Sequence, residues 1–174
     1  MNVKYLLIAA IFVGHVAIAE EAITPNPVTE VGVVKIEWEN PQDFRDINTS
    51  NELQSRFEAR LFDTLTKNIN KQAQKTLKPD QQLAMKVTDL DLAGDIRPTF
   101  GATPNDLRIV KDLYPPRATF SYTITEKGNV VLAGDEKITD MSFMHTTQRF
   151  SSRPFQYETN LFDQWLQRTI APKL

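Results

Sequence analysis

Apolar and polar residues alternate from Val34 to Glu39, with Val34, Ile36 and Trp38 on one side and Lys35, Glu37 and Glu39 on the other. A period of two predicts a half-buried strand over 31–40, and Pro41 ends it. The period then changes. Leu53, Phe57, Leu61, Leu65, Ile69, Ala73 and Leu77 recur every four residues, and Phe62 widens the stripe. That spacing predicts a long core-facing helix from Thr49 to Lys78, with Thr49 and Glu52 placed as a capping box and Pro79 as its stop.

In "LAMKVTDLDLAGD" (83–95) the alternation returns but slips phase. Leu83, Met85 and Val87 share one face, and the apolar set then moves to Leu90 and Leu92. A slip of this kind implies a bulge or strand end near Thr88 and Asp89. Residues 96–116 are rich in proline and read as loop, with 107–113 a short strand or a helical turn. "RATFSYTIT" and "VVLAGDEKITD" flank "EKGN", a hairpin signal in which Gly128 and Asn129 tolerate positive φ. A second helix opens at Pro154, presents Tyr157, Leu161, Phe162, Trp165, Leu166 and Ile170 on its apolar face, and ends at Pro172. The order β-α-β-loop-β-β-α predicts a two-layer α+β domain. It has a mainly antiparallel sheet of about four strands, with two helices on one face.

The N-terminus stands apart from this pattern. Lys4 precedes an apolar run from Tyr5 to about Val16, and Ala17-Ile18-Ala19 forms a small-residue cleavage pattern. We read residues 1–19 as a secretory signal peptide cut after Ala19, 20–30 as a flexible leader, and 31–174 as one domain. The expected location is the periplasm, with no stable membrane insertion after cleavage. Removal of Lys4 makes the formal charge of −2 one unit more negative. A mildly acidic chain without a basic block is poorly suited to nucleic acid.

Composition narrows the chemistry further. There is no cysteine, and His145 is the only histidine beyond the signal segment. Thiol nucleophiles, Cys/His zinc sites and multi-histidine metal sites are therefore impossible within one chain. No nucleotide-binding glycine motif and no G-x-S-x-G elbow is present, so His145 with Ser142, Ser151 or Ser152 makes a poor triad. No cofactor is expected. The lysines at 67, 71, 75 and 78 read as a solvated ridge near a helix C-terminus, where the dipole favours cations.

Two polar clusters remain. "DLDLAGD" (89–95) carries Asp89, Asp91 and Asp95. The first two fall on one side of a strand and could bind a hard cation or share a proton, yet the segment lacks the offsets of a calcium loop. The plainer reading is that they accept backbone N–H bonds at a bulge or pair with Arg and Lys. "RIVKDLYPPR" (108–117) carries Arg108, Lys111, Asp112, Tyr114 and Arg117 around a rigid double proline. Arg and Tyr suit a docking surface or an anion pocket, and the same cations could instead neutralise the aspartates. "LAGD" at 132–135 repeats 92–95, but nothing longer supports a duplication.

"VTDLDLAGD", "LRIVKDLYPPR", "SYTIT" with "GDEKITDMSFM", and "YETNLFDQWL" together resemble a family of bacterial exported proteins, the domain of unknown function 3016. The resemblance runs from about Val33 to Leu166. It implies a predominantly Gram-negative, envelope-facing protein and transfers no catalytic residue. It also marks Asp89, Asp91, Asp95, Arg108, Lys111, Asp112, Tyr114 and Arg117 as one candidate surface. The function expected is a non-enzymatic binding or accessory module for another envelope component, most plainly a protein. The alternative is a carboxylate-based metal-binding protein or hydrolase using Asp89, Asp91 and Asp95.

Overall fold

The computed structural model describes residues 25–49, 52–98, 106–146 and 153–174. Residues 1–19, read above as a signal peptide, the first part of the expected leader, Ser151 and Ser152 lie outside them. The fold is α+β. Strands β1 (Val28–Val31), β2 (Val34–Trp38), β3 (Gln81–Asp91), β6 (Arg117–Glu126) and β7 (Asn129–Thr139) form a five-stranded sheet in the order β1-β2-β3-β6-β7. Strands β4 (Asp95–Pro98) and β5 (Asp106–Ile109) form a separate two-stranded arm.

The sheet is one strand wider than expected because residues 28–31, most of them assigned to the leader, fold back as β1 on β2. It is also mixed. β2 and β3 are parallel, and the helix between them, α1 (Gln54–Thr76), is the crossover that such a pair requires. The other pairings are antiparallel. The predicted phase slip is real: the β3–β6 register shifts between Val87 and Asp89, so Val87 and Leu90 both reach the core.

Helix α1 starts at Gln54, five residues later than the capping-box reading placed it. Leu53 is the N-cap and contributes no side-chain cap. The Gln54 side chain instead accepts from Thr49 N–H at 3.2 Å and donates to Ile47 O at 2.9 Å, which ties the helix start to the preceding loop. At the β6–β7 hairpin the two positive-φ residues are Lys127 and Gly128, not Gly128 and Asn129, as a two-residue turn demands. The two "LAGD" copies do unrelated work. Leu92 and Ala93 are buried ahead of a turn at Gly94, whereas 132–135 run inside β7.

A short helix α2 (Phe143–Thr146) precedes α3 (Gln156–Trp165). Pro172 does not stop α3. The helix passes at Leu166 into a π turn and then into a 3-10 turn that contains Pro172. α1 and α3 cover one face of the sheet. Trp38 stacks on Phe62 at 4.3 Å, and Trp165 meets Phe120 and Tyr122 edge-on at 4.8 and 5.2 Å. Burial of these aromatic and aliphatic faces drives the two layers together.

One core-side carboxyl carries a pH signature. Burial pushes Asp163 on α3 up from 3.8 to about 6, against the pull of Lys75 on α1. Its Oδ1 is buried with no hydrogen-bond partner among the described residues. Between pH 4 and 6 the unfolded chain loses this proton while the folded chain keeps it. Stability therefore falls as pH rises through that window and stays lower above it. Each pKa unit is worth about 1.4 kcal/mol, to be discounted for partial exposure. Asp163→Asn is expected to gain about 1–2 kcal/mol at pH 7.5 in urea unfolding, and nothing at pH 3.5. An equal gain at both values rules titration out as the cause.

Candidate functional site

The two predicted clusters meet at one end of the sheet, directly at Asp91 and Arg117 and otherwise through partners the sequence did not single out. Asp91 and Arg117 are cross-strand neighbours in β3 and β6. Asp89 lies 3.9 Å from Arg45, and Asp46 takes Arg108 by two bonds, Nη1 to Oδ2 at 2.7 Å and Nη2 to the backbone O at 2.9 Å. Arg45 and Asp46 belong to the loop after the 3-10 turn Pro41–Asp43. Burial raises the Asp91 pKa; Arg117 and Arg45 oppose this, and Asp46 and Asp89 add to it. Three carboxylates and three guanidiniums thus gather at this end.

Asp95 stands on the arm, whereas the other two aspartates stand on β3. Arg97 Nε donates to Asp95 Oδ2 at 2.8 Å, and Arg97 Nη2 donates to the Tyr114 hydroxyl at 2.9 Å. Gly94 N–H donates to Tyr114 O, and Tyr114 N–H to Lys111 O, both at 3.0 Å, so the turn carrying Tyr114 is fixed to the arm by its backbone. Lys111 and Asp112 are exposed. Asp89, Asp91 and Asp95 therefore each face a different arginine. Among the described residues, no group of three or more His, Asp or Glu side chains is placed to hold a metal ion. His145 is exposed, and its backbone N–H donates to Ser142 O at 2.8 Å.

Arg108 also reaches a second feature, a cleft of 470 Å³ between α1, α3 and the arm. Phe57 of α1 and Phe155 meet edge-on at 5.8 Å, and the Arg60 guanidinium lies 5.5 Å from both ring centroids. Glu52 forms an ion pair with Arg60. Leu92, Ile96 and Pro154 add apolar wall. Phe155, the N-cap of α3, has φ 53 and ψ 37, a left-handed conformation that a non-glycine residue holds only under constraint. Glu158 is 3% exposed and accepts Ala93 N–H at 2.7 Å. Burial pushes its carboxyl up, although the Ala93 and Glu158 N–H groups and Arg108 favour the charge.

Sequence reading found Arg108 but missed the rest of the cleft. One signal was available: Glu158 precedes Leu161, Phe162 and Trp165 at helical spacing, so a carboxyl sits on the buried stripe, where a charge is costly without partners. Tyr157, assigned to that stripe, is half-buried instead and packs edge-on against Phe143 at 5.1 Å.

The fold and site define a two-layer α+β protein with a mixed sheet, a charged sheet end and an arginine–aromatic cleft. The family model described as "Protein of unknown function (DUF3016)" matches residues 32–168, and the chain belongs to that family. No curated protein and no solved structure matches it. No helix among the described residues is long and apolar enough to cross a membrane.

Proposed function

We propose that the chain is exported to the periplasm and acts there as a non-enzymatic binding module for another envelope protein. It docks through the arm and the Tyr-Pro-Pro-Arg turn. The observation that carries this reading is the surface built by Arg97, Leu107, Leu113 and Tyr114. Leu107 is the cross-strand partner of Arg97 and is 56% exposed; Leu113, beside Tyr114, is 71% exposed. Arg97 is already bonded to Tyr114. Arginine and tyrosine are the residue types that supply much of the binding energy at an interface centre, and the exposed leucines add apolar area beside them. The charged sheet end, with Asp89, Asp91, Arg108 and Arg117, supplies a polar rim. The acidic balance of the chain disfavours nucleic acid as the occupant. Export rests on the sequence of residues 1–19.

The test is expression of the full tagged chain in a Gram-negative host, followed by osmotic shock, intact mass and cross-linked partner capture. The expected product is a periplasmic chain beginning at Glu20 that captures one envelope protein reproducibly. Leu113→Ser with Tyr114→Ala is expected to lose that partner with the melting temperature unchanged. Retention in the cytoplasm, or equal partner recovery by the variant, defeats the reading.

A further inference from the structure

The cleft adjoins the docking surface, with which it shares the arm and Arg108, and has the make-up of a small-molecule site. Its 470 Å³ falls within the usual range of roughly 300–1,000 Å³. Phe57, Phe155, Leu92, Ile96 and Pro154 give it apolar walls, and Asn48, Thr49, Glu52, Arg60, Arg108 and Glu158 supply its polar groups.

The charge on those polar groups selects the ligand. Arg60 lies over both rings and is held by Glu52, yet its side chain is 48% exposed. A guanidinium has five N–H donors, so one carboxylate leaves donors for a second acceptor. The position over the two rings that a ligand cation would occupy is already filled by Arg60. A cationic head would have to displace it, whereas an anionic head shares Arg60 with Glu52, whose carboxylate lines the same cleft. Arg108, although bonded to Asp46, contributes positive potential to the same wall. Glu158 is buried, and its Oε1 is already taken by Ala93 N–H.

We propose that this cleft binds small amphipathic carboxylates. An aryl or short acyl body lies against Phe57, Phe155, Leu92 and Ile96, and the carboxylate bonds to the free edge of Arg60. The geometry suits a guanidinium, whose planar fork matches a carboxylate. No covalent step is involved. Neither substitution below alters Arg97, Leu107, Leu113 or Tyr114, so failure here is distinguishable from failure of the docking reading.

The purified protein is titrated calorimetrically with octanoate and 3-phenylpropanoate, and with octanamide and octylamine as comparators. Saturable binding of at least one carboxylate is expected, with octanamide about tenfold or more weaker, a difference of about 1.4 kcal/mol. Arg60→Gln is expected to remove that preference and leave octanamide binding unchanged. Ile96→Trp, which fills the cleft without altering its charges, is expected to abolish binding of both, and it decides the matter if Arg60→Gln does not fold. Three results each overturn the proposal: no saturable binding of either carboxylate, equal affinity for octanoate and octanamide, or tighter binding of octylamine.

Discussion

Trp38→Ala is expected to cost about 3–5 kcal/mol, the usual range for truncating a fully buried large aromatic. Trp38 has no exposed surface and lies nearly parallel to Phe62, with 12° between the rings. Its loss therefore opens a cavity between β2 and α1 and strips one face of Phe62. It also breaks a chain of hydrogen bonds. Trp38 Nε1 donates to Thr29 Oγ1 at 2.9 Å, and Thr66 Oγ1 donates to Phe62 O at 2.8 Å. The 2.6 Å contact between the two threonine hydroxyls must then run from Thr29 to Thr66. Edge strand β1 is joined to α1 through this chain. Domains are stable by only about 5–15 kcal/mol, so the loss is a large share of the total. Trp38→Phe keeps most of the stack and breaks only the indole bond, so about 1–2 kcal/mol is expected. Urea unfolding followed by circular dichroism separates the two variants. Equal losses would place the stabilisation in the hydrogen-bond chain, not in the packing.

Much of this core was legible from the sequence, because two periodicities encode it. The four-residue stripe and the alternation on β2 and β3 name residues that are buried, from Val34 and Trp38 through Leu61 and Leu65 to Leu83 and Val87, although Leu53, the first of the stripe, lies ahead of α1 and is exposed. The slip at Asp89 was legible for the same reason, since a bulge leaves a phase error in an alternating pattern. The helix start was not. A capping box is a spacing rule, and here Gln54 bonds to Thr49 and Ile47 across the loop and displaces the start. Strand β1 was hidden because an edge strand buries little: its positions alternate between exposed and half-buried, with no apolar stripe to show.

The candidate site divides in the same way. Asp91 beside Arg117 and Asp95 near Tyr114 join the two marked clusters, so the neutralising role considered for the cations holds in part. Arg45, Asp46 and Arg97 supply the remaining partners, from segments where no periodicity points to them. The cleft was illegible because it is assembled from α1, α3 and the arm, which are distant in sequence. Phe57 and Leu92 read simply as core residues, and only their arrangement around Arg60 gives them a second role.

Gly94→Ala is the second change with a large expected effect, about 2–4 kcal/mol, because two costs coincide. The residue has φ +94, where a side chain is strained. A Cβ there would also stand 2.7 Å from Ile109 O and 3.1 Å from Ile109 C, which are backbone atoms that cannot swing aside. The arm must shift, and with it the Gly94–Tyr114 bond and the Asp95–Ile109 register. Gly128→Ala separates the two costs. Gly128 has φ +85 with nothing within 4 Å of an added Cβ, so only conformational strain is expected, about 1 kcal/mol. Urea unfolding gives the two losses, and amide hydrogen exchange along β4 and β5 locates them. For Gly94→Ala the arm is expected to lose protection beyond the global change, because the clash lies at the joint between arm and sheet. If the two alanine variants lose the same amount and the arm keeps its protection, backbone conformation alone sets the cost at Gly94. The arm would then be held chiefly by the Arg108–Asp46 bonds to the loop before α1, since these leave Gly94 uninvolved.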